Sequence, residues 1–154
     1  MEYRICDAEM EMIPSIAVLE DEIFSEPWSE YTLSYHLPDE YHDFIVAVDE
    51  DDNVAGYLIM SIAADVGELD NIAVAELYRR QGLADRMIEE CLNRANKRGL
   101  DSIFLEVRES NTPARNLYEK YGFQIVGKRK NYYEKPREDA ILMTLFLREN
   151  EETQ

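Results

Sequence analysis

The hydrophobic positions of this chain change period several times, from the alternation of strands to the three-to-four spacing of helices, which predicts a mixed α/β fold. An acidic turn at residues 50–53 separates two apolar runs and predicts a hairpin. Strands are predicted at residues 3–6, 44–48, 54–62, 68–74, 102–107, 123–130 and 140–147. Helices are predicted at residues 9–24, where Pro14 must be accommodated, and at 29–37, 83–98 and 111–121.

The segment with the most chemical content lies where the fourth predicted strand ends. The apolar run at residues 69–74 is followed by a basic turn with Arg79, Arg80 and Gly82, and an amphipathic helix begins at once. Free backbone N–H groups and a helix N-terminus in that order can hold a pyrophosphate. Walker A and dinucleotide loops both need further glycines that this turn lacks. The alternative is an ordinary strand-to-helix turn that Gly82 opens.

The helix predicted after Gly82 has one apolar stripe and one charged face. Its stripe includes Cys91, which we interpret as a small core residue. Gly99 is a natural stop for this helix, because a residue without Cβ enters the left-handed region at little cost.

The strand at residues 102–107 is apolar except for one carboxylate, Glu106, which shares a face with Phe104. A carboxylate inside a largely buried strand has a raised pKa unless it is solvated or paired. Such a group is a reasonable general base near neutral pH. Two readings stay open: Glu106 is a general base, or it is a strand residue paired with Arg108 or Arg129.

The next helix is marked by Asn111 as its N-cap and Pro113 in its first turn, and Gly122 closes it. Tyr118 falls on the apolar face of that helix together with Leu117. By itself this position indicates core packing with a buried hydroxyl. A role for the hydroxyl in chemistry needs support from the rest of the chain.

Short motifs spread over nearly the whole chain provide that support. The spacing Arg79-x-x-Gly82-x-Ala84 resembles an acyl-coenzyme A signature, with alanine in place of its second glycine. The other motifs are Phe24-Ser25-Glu26-Pro27-Trp28-Ser29, LEVRESN at residues 105–111, LYEKYGF at residues 117–123, and Asn131-Tyr132-Tyr133 with residues 137–143. Together they resemble the RimI branch of the GNAT family of N-acetyltransferases. The turn at residues 75–77 departs from the Asp-Pro-type turn usual in that family.

The resemblance implies a single-domain GNAT fold, with a mixed central sheet that splays between its fourth and fifth strands to admit the pantetheine arm. It implies acetyl-CoA as cosubstrate and no metal. A backbone N–H near Val74 would polarise the thioester oxygen. By resemblance, the residues that would contact the coenzyme are Ile72, Ala73, Val74, Arg80, Gln81, Gly82, Leu83, Ala84, Asp85 and Asn111.

The resemblance also assigns the chemistry and the acceptor. Glu106 would be the base, acting through water, and Tyr118 would protonate the departing thiolate. Trp28 on one side, with Tyr132 and Tyr133 on the other, would form walls around an entering peptide. The acceptor implied is the N-terminal alanine of a small-subunit ribosomal protein. The alternatives are a broader set of N-termini, a small amine such as a polyamine or amino sugar, and a non-catalytic coenzyme-binding module.

Composition narrows the classes of partner. The net charge of −17 argues against unaided nucleic-acid binding and suits a basic partner, although acidity can also serve solubility alone. We expect one domain at residues 1–148 and a polar tail at 149–154, in a cytoplasmic protein that is favoured to be a monomer. The start lacks the pattern of a signal peptide, and the longest apolar run is too short to span a bilayer. The two cysteines and two histidines match no metal spacing.

Overall fold

The computed structural model describes residues 2–148, and the polar tail predicted at 149–154 lies outside them. Seven strands form one mixed sheet in the order β1-β2-β3-β4-β5-β7-β6. The strands are β1 Arg4–Asp7, β2 His42–Val48, β3 Val54–Ala63, β4 Val66–Val74, β5 Ser102–Arg108, β6 Gln124–Glu134 and β7 Arg137–Phe146. The helices are α1 Ile13–Ile23, α2 Glu30–Tyr35, α3 Leu83–Arg98 and α4 Thr112–Lys120. The predicted mixed α/β fold class is confirmed.

The parallel pairing of β4 with β5 is short. Val66–Glu68 lies in register with Ser102–Phe104, whereas β4 itself continues to Val74. A parallel pair that ends after three residues is what a sheet splayed between its fourth and fifth strands requires. The rest of β4 is therefore available for other contacts.

The described chain divides into two compact units. The first comprises residues 2–61 and 70–94, and the second comprises 62–69 and 95–148. Each unit contains part of β3, part of β4 and part of α3, since the boundaries fall within these three elements. The prediction that residues 1–148 form one domain remains a prediction.

The first unit has a core in which β2 is buried along its whole length. A strand buried along its whole length needs cover on both faces, and α1 supplies part of it through Ile16 and Leu19. On α3, the Cys91 thiol lies 3.7 Å from the Met60 sulfur, and burial raises the pKa of Cys91 to about 12. The interpretation of Cys91 as a core residue is consistent with this packing.

The first helix begins later than the sequence indicated. We expected a helix over residues 9–24, but the α-helix starts at Ile13, and Met10–Met12 form a single 3-10 turn. Pro14 explains the difference, because proline is tolerated in the first helical turn, where its missing N–H has no partner to lose. The helix therefore accommodates Pro14 by starting later than predicted.

The acidic hairpin turn is organised by Asp49. Its carboxylate accepts backbone hydrogen bonds from Asp51 and Asn53, each at 2.9 Å, and a bond from the Tyr78 hydroxyl at 2.7 Å. The Tyr78 bond, followed by those from Asn53, lowers the pKa of Asp49 to about 2. The turn between β2 and β3 is thus tied to the segment that follows β4.

The second unit contains β5, β6, β7 and α4. Buried Ile103, Leu105 and Val107 alternate along β5 with half-buried residues, as the sequence pattern predicted. Strand β5 pairs with β7 along the whole of β5, from Ser102 opposite Phe146 to Arg108 opposite Ala140. This pairing leaves β6 at the edge of the sheet, where most of its side chains are exposed.

We predict that Tyr78→Phe lowers the melting temperature at pH 7, because it removes a donor to Asp49. The folded-state pKa of Asp49, about 2, lies below the ordinary 3.8, so its contribution is complete above about pH 4 and is lost as the pH falls towards 2. Calorimetry from about pH 6 to pH 2.5 should therefore show the difference between variant and wild type shrinking. Tyr31→Phe, at a side chain that is 82% exposed, is the control. A difference that stays constant over this range would contradict the assignment.

Candidate active site

The turn after β4 has the backbone shape of an anion site. Arg80 and Gly82 both have left-handed φ angles, of 63° and 76°. Turns of this kind direct successive N–H groups towards one point, and here the first turn of α3 adds its own N–H groups. A Cβ built on Gly82 would meet nothing within 4 Å, so the space over this glycine is open. The backbone geometry of this turn fits a phosphate, and its role as a pyrophosphate site remains a prediction.

Side chains on both sides of the turn hold it in place. The Arg79 Nε donates to the Val74 carbonyl at 3.1 Å, and the Tyr3 hydroxyl donates to the Gln81 side chain at 2.6 Å. Tyr78 adds its bond to Asp49. Among the predicted coenzyme residues of this segment, Leu83 is buried, Ala84 and Asp85 are half-buried, and Arg80, Gln81 and Gly82 are exposed.

The end of β4 is pressed against β3 at a glycine. A Cβ on Gly56 would lie 2.7 Å from the Ala73 carbonyl oxygen, a distance that no other residue could accept without a shift. Two residues beyond Ala73, the Ala75 N–H donates to the Ala55 carbonyl at 2.8 Å. Ala73 is buried, and Ile72 and Val74 are half-buried on either side of it. The segment expected to bind pantetheine therefore has a fixed backbone.

Sequence reasoning missed Glu20, which is fully buried on α1. Its carboxylate accepts hydrogen bonds from the Trp28 backbone N–H at 2.8 Å, the Tyr57 hydroxyl at 2.7 Å and the Asn71 side-chain amide. One signal could have found it, since Glu20 follows Ile16 and Leu19 on the apolar stripe of the helix.

Trp28, predicted as a wall of the acceptor site, is half-buried in an aromatic group. Its ring lies 4.4 Å from that of His36, which in turn lies 4.9 Å from the ring of His42. His36 Nδ1 hydrogen-bonds the Thr32 carbonyl at 2.7 Å, so that nitrogen is the donor. His42 is buried and His36 is half-buried, and both rings pack in this aromatic group.

In the second unit, Glu106 is 14% exposed and has two polar neighbours. The Arg129 guanidinium lies 3.7 Å from its carboxylate, and a hydrogen bond to the same carboxylate raises the pKa of the Tyr132 hydroxyl. Arg129, one of the two pairing partners expected from sequence, therefore lies close to Glu106. The contact is loose and the Arg129 side chain is half-exposed, so it is compatible with the general-base reading as well.

Arg108 holds the β6–β7 hairpin. Its guanidinium donates to the carbonyls of Pro136 and Lys135 at 2.9 and 3.1 Å, approaches Glu138 at 3.3 Å and lies 4.3 Å from the centre of the Tyr133 ring. Arg108 is thereby tied to the hairpin. It fixes one of the predicted acceptor-site tyrosines.

Tyr118 is 6% exposed and packs against Phe123 at 5.7 Å between ring centres. Burial, with a smaller effect of Tyr133, raises the pKa of the Tyr118 hydroxyl, so it is protonated at neutral pH. Burial and the Glu106 carboxylate raise the pKa of Tyr133 to about 12. Asn111 accepts a bond from the Ala114 N–H at 3.3 Å, which confirms it as the cap of α4.

Ten of the predicted residues lie in the first unit, namely Trp28, Ile72, Ala73, Val74, Arg80, Gln81, Gly82, Leu83, Ala84 and Asp85. The others, Glu106, Asn111, Tyr118, Tyr132 and Tyr133, lie in the second. Within residues 2–148, no group of three or more His, Cys, Asp and Glu side chains could hold a metal ion. No helix in that same range is long and apolar enough to cross a membrane.

Comparison with known proteins places this geometry in a family. Residues 13–123 match the model of the Acetyltransferase (GNAT) family. The chain is 36% identical over 143 residues to the [ribosomal protein bS18]-alanine N-acetyltransferase of Escherichia coli K12, covering 92% of this chain and 95% of that protein.

Solved structures agree with the sequence match. The crystal structure of the ribosomal-protein-S18-alanine N-acetyltransferase from Escherichia coli superposes with a TM-score of 0.88 at 33% identity, covering 99% of both chains. A NatC complex bound to Gag peptide and CoA gives 0.86 at 28% identity, over 96% of this chain and 100% of that one. The chain is therefore an acetyltransferase and belongs to the GNAT family, in which it is similar to the RimI proteins.

Proposed function

We propose that this enzyme transfers the acetyl group of acetyl-CoA to the N-terminal alanine of a small-subunit ribosomal protein. The observation that supports it most is the presence, within the second unit, of both a hydrogen-bonded Glu106 carboxylate and a buried, protonated Tyr118 hydroxyl. A base and an acid are the two groups that direct aminolysis of a thioester requires. The acceptor is proposed from the printed names of the similar Escherichia coli proteins.

The coenzyme is proposed to bind in the first unit. The turn at Arg80–Gly82 and the N-terminus of α3 offer N–H groups to the pyrophosphate, over an open space above Gly82. The backbone of Ile72–Val74 would contact the pantetheine, and Asn111 of the second unit would contact the coenzyme arm. Acetyl-CoA supplies an activated acetyl thioester, and the NatC complex among the similar structures contains CoA.

Proton transfer is proposed to use the side chains of the second unit. An α-amino group has a pKa near 8, about two units below that of lysine, so a modest base suffices to give the neutral nucleophile. Glu106 takes that proton through water, and the neutral amine nitrogen then bonds to the acetyl carbon and releases a second proton to solvent. The carbon–sulfur bond breaks, and Tyr118 gives its proton to the departing sulfur. The Tyr132 hydroxyl and the Arg129 guanidinium keep the Glu106 carboxylate oriented.

Trp28 of the first unit, and Tyr132 and Tyr133 of the second, are proposed to contact the acceptor. About two thirds of the acidic residues of the chain, but under a third of the basic ones, lie in the unit that contains Trp28. A basic polypeptide is attracted by such a surface. A small amine such as a polyamine would be attracted in the same way, and it is the second candidate acceptor.

An acceptor panel tests the proposed function. We expect a peptide beginning with alanine to be acetylated faster than peptides beginning with serine, methionine or glycine, in an assay of thiol release from acetyl-CoA. An N-terminally blocked lysine peptide and spermidine complete the panel. Faster acetylation of spermidine or of the lysine side chain than of every free N-terminus would overturn the proposal. Failure of every acceptor to release thiol would favour a non-catalytic coenzyme-binding protein.

Substitution of Gly82 tests the pyrophosphate site. Gly82→Glu puts bulk and negative charge into the open space, and we expect acetyl-CoA affinity to fall by at least about tenfold in calorimetry. Gly82→Ala is the matched control, because it carries the same left-handed backbone strain with a Cβ that meets nothing. Equal affinities in the two variants and the wild type would show that the phosphate lies elsewhere.

Substitution of Tyr118 tests the acid. We expect Tyr118→Phe to lower kcat by roughly one to three orders of magnitude, because a positioned proton donor is lost while the ring still fills its place. Tyr121→Phe, one turn further along the chain and half-buried, controls for loss of a tyrosine hydroxyl near α4. Wild-type turnover in a well-folded Tyr118→Phe would reduce this residue to core packing.

A further inference from the structure

The buried carboxylate of Glu20 joins three separate parts of the first unit. Its Oε2 accepts the Trp28 backbone N–H at 2.8 Å, and its Oε1 accepts both the Tyr57 hydroxyl at 2.7 Å and the Asn71 amide. These three partners come from the loop before α2, from β3 and from β4. All three are neutral donors.

Helix stability does not account for a carboxylate at this position. Glu20 lies in the last turn of α1, which ends at Ile23, and the helix dipole disfavours negative charge there. Its side chain is fully buried in an apolar surrounding, where an ionised group is costly unless several hydrogen bonds stabilise it. An apolar residue on the stripe of Ile16 and Leu19 would serve the core better. The carboxylate therefore has a use other than packing.

Two of its partners lie in or next to segments that are proposed to bind the substrates. Trp28 is the proposed acceptor wall of this unit, and Glu20 holds it by its backbone. Asn71 immediately precedes Ile72–Val74, the backbone proposed to contact pantetheine. We propose that Glu20 is a positioning residue that sets the acceptor wall and the coenzyme strand together, through its bonds to Trp28 and Asn71. This inference rests on the proposed function.

The third partner provides an internal control. Tyr57 is fully buried in β3 and is part of neither proposed substrate site. Burial, and then the Glu20 carboxylate, raise the pKa of Tyr57, so its hydroxyl remains a donor. Removing this hydroxyl takes away a bond to the same carboxylate oxygen that Asn71 uses. A purely structural role for Glu20 predicts the same effects from losing either bond.

The test compares Asn71→Ala with Tyr57→Phe. For Asn71→Ala we expect the KM for acetyl-CoA to rise about tenfold, the equivalent of one charge-assisted hydrogen bond, with kcat and the KM for peptide changed much less. For Tyr57→Phe we expect a lower melting temperature and unchanged KM values. Equal KM values for acetyl-CoA in the two variants, or KM shifts that only follow the loss of thermal stability, would overturn the proposal.

Substitution of Glu20 itself tests the link to the acceptor. Glu20→Leu keeps the volume and removes both oxygens, and we expect the KM to rise for peptide as well as for acetyl-CoA. Glu20→Gln restores one carbonyl oxygen and should recover part of both losses. An unchanged KM for peptide in folded Glu20→Leu would overturn the link to Trp28. If that variant does not fold, the comparison of Asn71→Ala with Tyr57→Phe still decides.

This experiment also separates the inference from the proposed function. If the wild type acetylates no free N-terminus, the proposed function is wrong, whatever the role of Glu20. Calorimetric affinity for acetyl-CoA then replaces the KM. Weaker binding by Asn71→Ala than by Tyr57→Phe would still support positioning of the coenzyme strand by Glu20, and equal binding would overturn it.

Discussion

The close approach of β3 and β4 at Gly56 is the constraint on which the coenzyme side of the site depends. The Ala73 carbonyl occupies the space that a Cβ at residue 56 would need, and Met87 of α3 lies 3.2 Å from the same point. Any larger residue must displace the strand whose backbone is proposed to bind pantetheine. The absence of a side chain at Gly56 thus fixes the position of the β4 main chain.

Charged side chains also hold site residues in place, and they do so differently in the two units. In the first, Glu20 collects three neutral donors in the core. In the second, Arg108 spreads its donors over the hairpin carbonyls and Glu138 and covers the Tyr133 ring. Both side chains hold backbone groups: Glu20 holds the N–H of Trp28, and Arg108 holds the carbonyls of Lys135 and Pro136.

The features that the sequence predicted are those encoded over a few residues. The stripe of α3, the alternation in β5 and the caps at Ser29 and Asn111 all depend on neighbours within about two turns. The polar contacts of Glu20 could not be predicted, since Tyr57 and Asn71 lie 37 and 51 residues further along the chain. The same holds for Arg108, whose partners come from a hairpin almost thirty residues away. The late start of α1 could have been predicted from the sequence, because Pro14 restricts only its own turn.

The packing of Cys91 has a consequence for how the sulfur atoms of this enzyme behave in solution. With a thiol pKa of about 12, Cys91 carries almost no thiolate at neutral pH, and its sulfur lies in the core beside that of Met60. It is therefore a poor target for alkylating reagents and for oxidation, and it cannot compete with an amine for an acetyl group. Cys6, which is half-buried, is the one other cysteine of the chain. A colorimetric thiol reagent added to the folded enzyme should consequently report released coenzyme against a background of at most one protein thiol.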